Sequence, residues 1–389
     1  MKKSLIALLV ATLPAAAFAD VTIYGTLKAG VETYDNGTIK QTNVDDLGSR
    51  IGFKGSEDLG NGLKAIWQVE SGFAIDGNSD GTNAGKAYSS SNSGVLANRN
   101  SFLGLQSNLG TLRFGNVSNF LDSDMGTVDV WQYNSNAAGL GIFTRDATRL
   151  KNSVRYDLPA VVPGLTAAVQ YGTKEASKGL TVNNITDPET GKFVSQDRET
   201  ASLGFGYENS GFFGKYSYIH ESPLVNAIAT VNGQQSLLAI ANDKHRVEFG
   251  YNANNLFVGL AYQQEKGGMD IIGSGWSSLV NNGAYFDTNA KFGLNDKVKT
   301  TEYALTAAYT FGSITPKFTY AHGDDVKVGG NTMHNTKYDQ YVLGADYALS
   351  KRTTVGAQYG EIKVGGTNPT TQANNKDLKT FGLNMVHSF

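Results

Sequence analysis

The stretch LGADYALSKRTTVGAQYGEI, residues 343–362, decides the fold. Before Ser350, Tyr341, Leu343, Ala345 and Tyr347 alternate with Gln340, Val342, Gly344 and Asp346; after it, Val355, Ala357 and Tyr359 alternate with Thr354, Gln358 and Gly360. Period two sends successive side chains to opposite faces of a strand, so this is a hairpin whose faces meet different environments. A water-soluble sandwich would bury the Tyr341–Tyr347 face against a second sheet. A membrane barrel would turn that face to lipid and leave Gln340 and Asp346 in a wet lumen. With a turn centred on Ser350, Tyr341 and Tyr359 face each other far from the turn and Tyr347 lies close to it. A tilted strand crosses the apolar layer in about 9–11 residues, so these tyrosines fall near opposite interfaces, as two aromatic girdles require.

Working outward, the same unit repeats. DVTIYGTLKAGVETY, from Asp20, places Val21, Ile23, Leu27, Ala29 and Val31 on one side and Thr22, Thr26, Lys28 and Glu32 on the other. SRIGFKGSE, LKAIWQVES, TLRFGNV, NSVRYDL, TASLGFGYE, KHRVEFGYN, TEYALTAAYTF and DLKTFGLNMVHSF read alike, and the strand count comes to about sixteen, within the range of single-chain outer-membrane barrels. Tyr156, Tyr171, Tyr207, Tyr218, Tyr251, Tyr262, Tyr309 and Tyr320 each sit near a strand end, whereas sandwich-core aromatics would sit mid-strand. Tight turns at Asn108, Asn209, Asn254-Asn255, Gly312-Ser313 and Ser350 alternate with long loops after Asp76, Lys174, Ser222 and Gly267. That alternation assigns short turns to the periplasmic rim and long loops to the outside. One strand, NRNSFLGLQ, breaks the pattern: Phe102 points opposite Arg99, but Leu103 and Leu105 share the arginine's face.

The termini fit an exported barrel. Lys2 and Lys3 precede the apolar run Leu5 to Leu13, and Ala17-x-Ala19 has the small-residue pattern of a signal-peptidase site. Residues 1–19 therefore read as a signal peptide cleaved after Ala19, and residues 20–389 as one transmembrane barrel domain. The run is shorter than the ~20 residues a spanning helix needs. The chain has no cysteine, which suits an oxidising compartment, and its net charge of −2 gives no reason to expect nucleic-acid binding. Phe381, Leu383, Met385, His387 and Phe389 alternate to a terminal aromatic, the pattern read by outer-membrane insertion machinery. The reading is an all-β, antiparallel transmembrane barrel in the bacterial outer membrane, in contact with its lipid.

The blocks DVTIYGTLKAGVE (Asp20), DLGSRIGFKGSEDLGNGLKAIWQVES (Asp46), NRNSFLGL (Asn98), SVRYDLP (Ser153), TPKFTYAHG (Thr315) and YALSKRT (Tyr347) resemble the neisserial and β-proteobacterial general porins. They span the mature chain. The resemblance implies a 16-stranded barrel in a homotrimer, with the third loop folded inward as a constriction. Where the family pattern reads SVRYDSPEFAGLSG, this chain has SVRYDLPAVVPGLTA, which changes the neighbouring turn and not the fold.

Such a channel sorts small hydrophilic solutes and ions by size and charge at its narrowest point and performs no catalysis. Alternation points Lys28, Arg50, Lys54, Arg113 and Arg155 inward, because a charge facing lipid at midplane costs about 2–4 kcal/mol. The resemblance puts Arg50, Arg99 and Arg155 where related porins carry constriction arginines. The segment 116–149 follows the fifth strand, where the family's constriction loop lies, and carries Asp122, Asp124 and Asp129. A basic wall facing an acidic loop sets a transverse field, and the basic excess on the early strands favours a weak anion preference.

Other signals are weaker. Asp76, Asn78, Asp80 and Gly81 match half an EF-hand loop, but Ala87 stands where the bidentate Glu belongs. Gly77-x-Ser79-x-Gly81 lacks the strand-turn-helix of a nucleophile elbow. His220, His245, His322, His334 and His387 have no metal-ligand spacing and read as rim or interface residues, so no cofactor is expected. Trp67, Trp131 and Trp276 are too scattered for a sugar slide, and no Ser-His constellation supports an outer-membrane hydrolase. A plugged structural barrel is the remaining alternative, and it predicts no conductance.

Overall fold

The computed structural model describes residues 21–77, 96–133, 136–173, 198–223, 228–231, 234–237, 240–268, 271, 296–366 and 377–389. The segment 1–19, Trp276 and the motif positions Asn78 to Ala87 lie outside them. The wall strands are β1 (Thr22–Asp35), β2 (Arg50–Gly60), β3 (Leu63–Gly72), β4 (Ser101–Ser107), β5 (Gly110–Ser118), β6 (Arg149–Asp157), β7 (Leu165–Gly172) and β8 (Thr200–Asn209). They continue as β9 (Phe212–Glu221), β10 (Asn242–Ala253), β11 (Leu256–Gly267), β12 (Val298–Tyr309), β13 (Ile314–Gly323), β14 (Tyr338–Ala348), β15 (Thr353–Val364) and β16 (Leu378–Ser388). Every neighbour is antiparallel, and β16 pairs back onto β1 from Thr26↔Ser388 to Asp35↔Lys379, closing a 16-stranded barrel. Phe389 completes the seam, its N–H donating to Gly25 O at 3.1 Å and its carbonyl accepting from Gly25 N at 3.0 Å.

One rim carries the tight turns. Asn254 and Asn255 both adopt positive φ, 54° and 62°, the primed geometry that matches strand twist in a two-residue hairpin. All the long connections, including 119–148 between β5 and β6, leave from the other rim. The separation of tight turns and long connections onto opposite rims follows the sequence reading.

The opening hairpin shows what surrounds the wall. Tyr341, Leu343 and Tyr347 stand 40%, 62% and 46% exposed on the outside, while Gln340 and Gln358 are 0% and 2% exposed inside. Apolar residues outside and polar ones inside invert a soluble core and require a lipid exterior. The hairpin's register differs from a turn centred on Ser350: Tyr359 opposes Leu343, and Tyr341 opposes Glu361. Hydrogen bonds from the Leu349 and Ser350 N–H groups to Thr353 O move the centre on by one residue, a slip that leaves every side chain on its expected face. Gln340 is also not in open water; its Nε2 donates to Ala137 O and Gly139 O, at 2.9 and 2.7 Å, under the inward-folded loop.

Towards the long-loop rim the outer face carries Tyr262 against Tyr303 (ring centroids 5.4 Å apart) and Tyr320 against Tyr341 (5.1 Å). Towards the short-turn rim it carries Phe212 against Tyr251 (4.9 Å) and Tyr309 against Phe311 (4.4 Å). These are the two girdles. Leu343→Arg, placed between them, should lower stability by about 2–4 kcal/mol in lipid or micelles, measured as the unfolding free energy in urea. Gln358→Arg on the inner face is no equivalent change and tests only the loop's seat.

The irregular strand has a simple cause. β4 begins only at Ser101; Ala97 is in the left-handed region (φ 62°), and Arg99 lies in the bend before the strand, so strand parity does not govern it. Leu103 and Leu105 face outward, 64% and 42% exposed, while Arg99 turns inside.

Candidate functional site: a pore constriction

The loop 119–148 fills one side of the barrel. Asn119 caps a single helical turn, Phe120–Ser123, by accepting from Asp122 N at 2.9 Å, and Phe120 packs over Gly204 of β8. From there the chain runs along the wall. Gly126 and Thr127 donate to the Glu248 carboxylate at 3.1 and 3.0 Å, and Thr306 Oγ1 donates to Val128 O. Lys317 Nζ holds Val130 O at 2.8 Å and lies over the Trp131 ring, whose Nε1 donates to Thr319 Oγ1 at 2.9 Å. Tyr133 Oη reaches across to Val31 O (3.1 Å) and Leu383 O (2.9 Å). Gly30 makes that approach possible, since a Cβ there would sit 2.0 Å from the tyrosine oxygen.

Apolar packing seats the same loop. Val128, Trp131, Ala137, Leu140 and Phe143 bury against Ala304, Ala321, Tyr338, Val342 and Ile362 on the inner wall. At its return, Arg145 donates to Glu302 through Nη1 (2.9 Å) and Nη2 (2.6 Å), and also to Glu265. Asp146 accepts from Lys244 Nζ at 2.6 Å, and the Lys244 and Arg145 cations hold its carboxyl well below the usual range despite burial. Arg246 donates to Phe143 O and Gln263. The loop is thus held against the inner faces of β8 to β16.

On the β1–β6 wall Glu70 is a hub. It accepts from Tyr24 Oη at 3.0 Å and Arg99 Nε at 2.7 Å, and Arg50 Nε lies 4.0 Å away. Lys28 lies within electrostatic reach of Arg50 and Arg99 on its own wall, and of Asp129 on the loop. Burial pushes the Asp129 carboxyl up to about 6, opposed by its hydrogen bond from Trp131 N and the charges of Lys317 and Lys28. Lys28, Arg50 and Arg99 therefore come together, with Asp129 facing them.

The other predicted residues sit elsewhere. Arg155 is only 1% exposed: it donates to Ser118 O (2.7 Å), Ser123 Oγ (2.6 Å), Asp124 (2.7 Å) and Asp157 (2.7 Å). It points inward as parity requires, but it is a clamp between β6 and the loop's first turn and offers no charge to a solute. Asp124 is spent on the same clamp. Asp122 accepts from Ser118 Oγ at 2.6 Å and lies 3.5 Å from Arg149. Arg113 pairs with Asp157 at 2.9 Å beneath Phe102, and Lys54 lies over the Tyr24 ring at 5.3 Å; both are nearer the short-turn rim. The expected loop range 116–149 takes in the ends of β5 and β6, so the loop proper is 119–148.

Parity contained further residues that the sequence reading passed over. Glu70 alternates with Val69, Glu248 with Val247 and Phe249, and Glu302 with Tyr303, so each is an inward carboxylate. What those carboxylates hold is set by the loop's course. Among the described residues, no cluster of His, Cys, Asp or Glu could hold a metal ion.

The family model described as Gram-negative porin matches residues 4–367. The chain belongs to that family. The porin is 36% identical to the major outer membrane protein P.IB of Neisseria meningitidis over 408 residues, covering 100% of both chains. It is 35% identical to the protein of the same name from Neisseria gonorrhoeae over 383 residues, 94% of each. Among solved structures, the anion-selective porin of Comamonas acidovorans superposes with a TM-score of 0.65 at 20% identity, covering 95% of this chain and 100% of that one. The trimer form of OmpT from Vibrio cholerae gives 0.61 at 14% identity, covering 95% and 99%. The porin is thus an outer-membrane general diffusion channel and not an enzyme.

Proposed function

We propose that solutes cross this porin between the 122–133 arm of the loop and the β1–β6 wall, through an eyelet with a weak preference for anions. The clustering of Lys28, Arg50 and Arg99 opposite one loop carboxylate, Asp129, carries the reading. Glu70 tempers the excess and also holds Arg99 in place. The anion selectivity of the Comamonas porin has the same sign. The experiment is the reversal potential of the purified channel across a KCl gradient: a value on the chloride side supports the eyelet, and a value on the potassium side overturns the anion preference.

The acid on the loop makes this preference depend on pH. Asp129 is charged above its value of about 6 and neutral below it, so lowering pH removes the loop's negative charge facing the basic cluster and leaves Glu70 on the wall. Chloride preference should rise as pH falls from 7.5 to 5, and Asp129→Asn should show the low-pH value throughout. A variant that keeps the wild-type pH dependence would assign the titration to another group.

The trimer extends this reading. Among the described residues, the outward faces of β1 to β5 carry Ile23, Leu27, Phe53, Leu103 and Phe114 without a tyrosine; Tyr24 binds Glu70 inside and Tyr34 packs on the interior cluster. Interfacial tyrosines anchor a wall to the lipid boundary, so an arc lacking them suits contact with neighbouring copies. The same reading includes removal of residues 1–19 on export.

A further inference from the structure

The outer wall carries a row of lysines that the channel does not use. Lys266 on β11 is the direct cross-strand partner of Lys299 on β12, and Lys299 is in turn the direct partner of Lys327 in the short strand Lys327–Val328 that prolongs β13. All three point outward: Val298, Thr300, Val326 and Val328 between them are buried inside. Like charges placed directly opposite repel. Strands lie about 4.8 Å apart, so the three ammonium groups share roughly 10 Å of wall. Among the described residues, none of the three has a carboxylate at ion-pair distance.

The level of the row is informative. Gln264 and Thr301 lie one outward position closer to the membrane centre, and below them Tyr262 and Tyr303 form part of the girdle facing the long-loop rim. The lysines therefore sit just outside the apolar band, at headgroup depth, on an arc whose tyrosines mark it as lipid-facing. Beside Lys266 the wall opens a cavity of about 440 Å³ lined by Tyr216, Tyr218, Asp243, His245, Gln264 and Lys266. His245 stacks on Tyr218 at 4.8 Å and accepts or donates a hydrogen bond with Tyr216 Oη at 2.8 Å, giving aromatic faces and polar edges together. Asp243, the acid of the cavity, accepts from Tyr218 Oη at 2.6 Å and binds His220 at 2.8 Å, which fixes its carboxylate against the tyrosine side.

We propose that Lys266, Lys299 and Lys327 bind the phosphate of an outer-leaflet glycolipid headgroup, whose sugar sits in the adjoining Tyr216–His245 cavity. The phosphate relieves the repulsion along the row, and the sugar meets the aromatic faces and the amide of Gln264. A free anion would satisfy the lysines but not the cavity.

The test uses the full folded porin in detergent, titrated with a phosphorylated glycolipid from a Gram-negative outer membrane and with the same lipid after dephosphorylation. Wild type should bind the phosphorylated form at least tenfold more tightly. The triple variant K266Q/K299Q/K327Q should lose that difference while keeping wild-type single-channel conductance, since none of the three faces the lumen. Lys299→Gln alone should lose about threefold, and it carries the test if the triple variant does not fold. Lys379→Gln, an outward lysine 3.6 Å from Glu361, should change nothing. The proposal is overturned if the variants bind like wild type, if wild type ignores the phosphate, or if millimolar inorganic phosphate displaces the lipid, which would make the row a free-anion site.

Discussion

Replacing Arg145 with alanine should loosen the loop 119–148 from its wall and destabilise the folded channel by about 3–5 kcal/mol. The guanidinium side chain is 2% exposed and serves Glu265 and Glu302, whose side chains are fully buried. It also donates to Ile142 O at 2.8 Å, so it closes the loop on itself as well as on β11 and β12. Alanine leaves two carboxylates facing each other under the loop, with two neutral groups as donors to the pair: Tyr338 Oη, 2.9 Å from Glu302, and Gln263 Nε2, 3.1 Å from Glu265. Breaking such a set is costly because the charges left behind stay desolvated, whereas removing the whole set costs much less. The triple variant R145M/E265Q/E302Q should therefore recover at least half of the lost stability. Urea unfolding gives the energies, and single-channel noise reports the loop: Arg145→Ala should flicker between conductance levels. A quiet channel of wild-type stability would show that the loop is held by its apolar seat alone.

Reversing charge at the eyelet should reverse its selectivity. At about 7 Å in a water-like dielectric, one unit charge is worth about 0.6 kcal/mol to a passing ion, so turning Lys28 into Glu shifts that ion by about 1.2 kcal/mol, roughly sevenfold. K28E/R50E should thus convert weak chloride preference into clear potassium preference, read from the reversal potential in a KCl gradient. High salt shrinks the effect through screening. Arg155→Gln is the informative contrast. Its guanidinium is consumed by Asp124, Asp157, Ser118 and Ser123, so selectivity should move little even if the loop's first turn loosens.

These two sites also show what the sequence could reveal. Alternation placed Lys28, Arg50 and Arg155 alike on the inner face, because parity is a local property of each strand. It could not say which inner face stays wet. That depends on where a loop of some thirty residues lies down across a barrel, a long-range outcome set by pairs such as Arg145 with Glu302 and Tyr133 with Leu383 O. Arg99 was ambiguous for the opposite reason: it precedes its strand, and parity counted through a bend carries no information. The register of the 343–362 hairpin slipped by a whole pair because turn chemistry around Ser350 admits neighbouring centres, yet the faces survived, as a two-residue change in pairing preserves them. Glu70 and Glu248 were visible as inward carboxylates, and only their partners were not.

The central claim is that the passage lies between the loop and the β1–β6 wall, with Lys28 and Arg99 beside it. The chain contains no cysteine, so single-cysteine variants carry one reactive site each. The decisive measurement is single-channel conductance of Lys28→Cys, Arg99→Cys, Gln340→Cys and Leu343→Cys before and after a bulky, negatively charged thiol reagent. Lys28→Cys and Arg99→Cys should react and lose more than half of their conductance, while Gln340→Cys, sealed under the loop, and Leu343→Cys, facing lipid, should keep theirs. Full conductance from labelled Lys28→Cys, or block through Gln340→Cys, would place the passage on the other side of the loop and contradict the account.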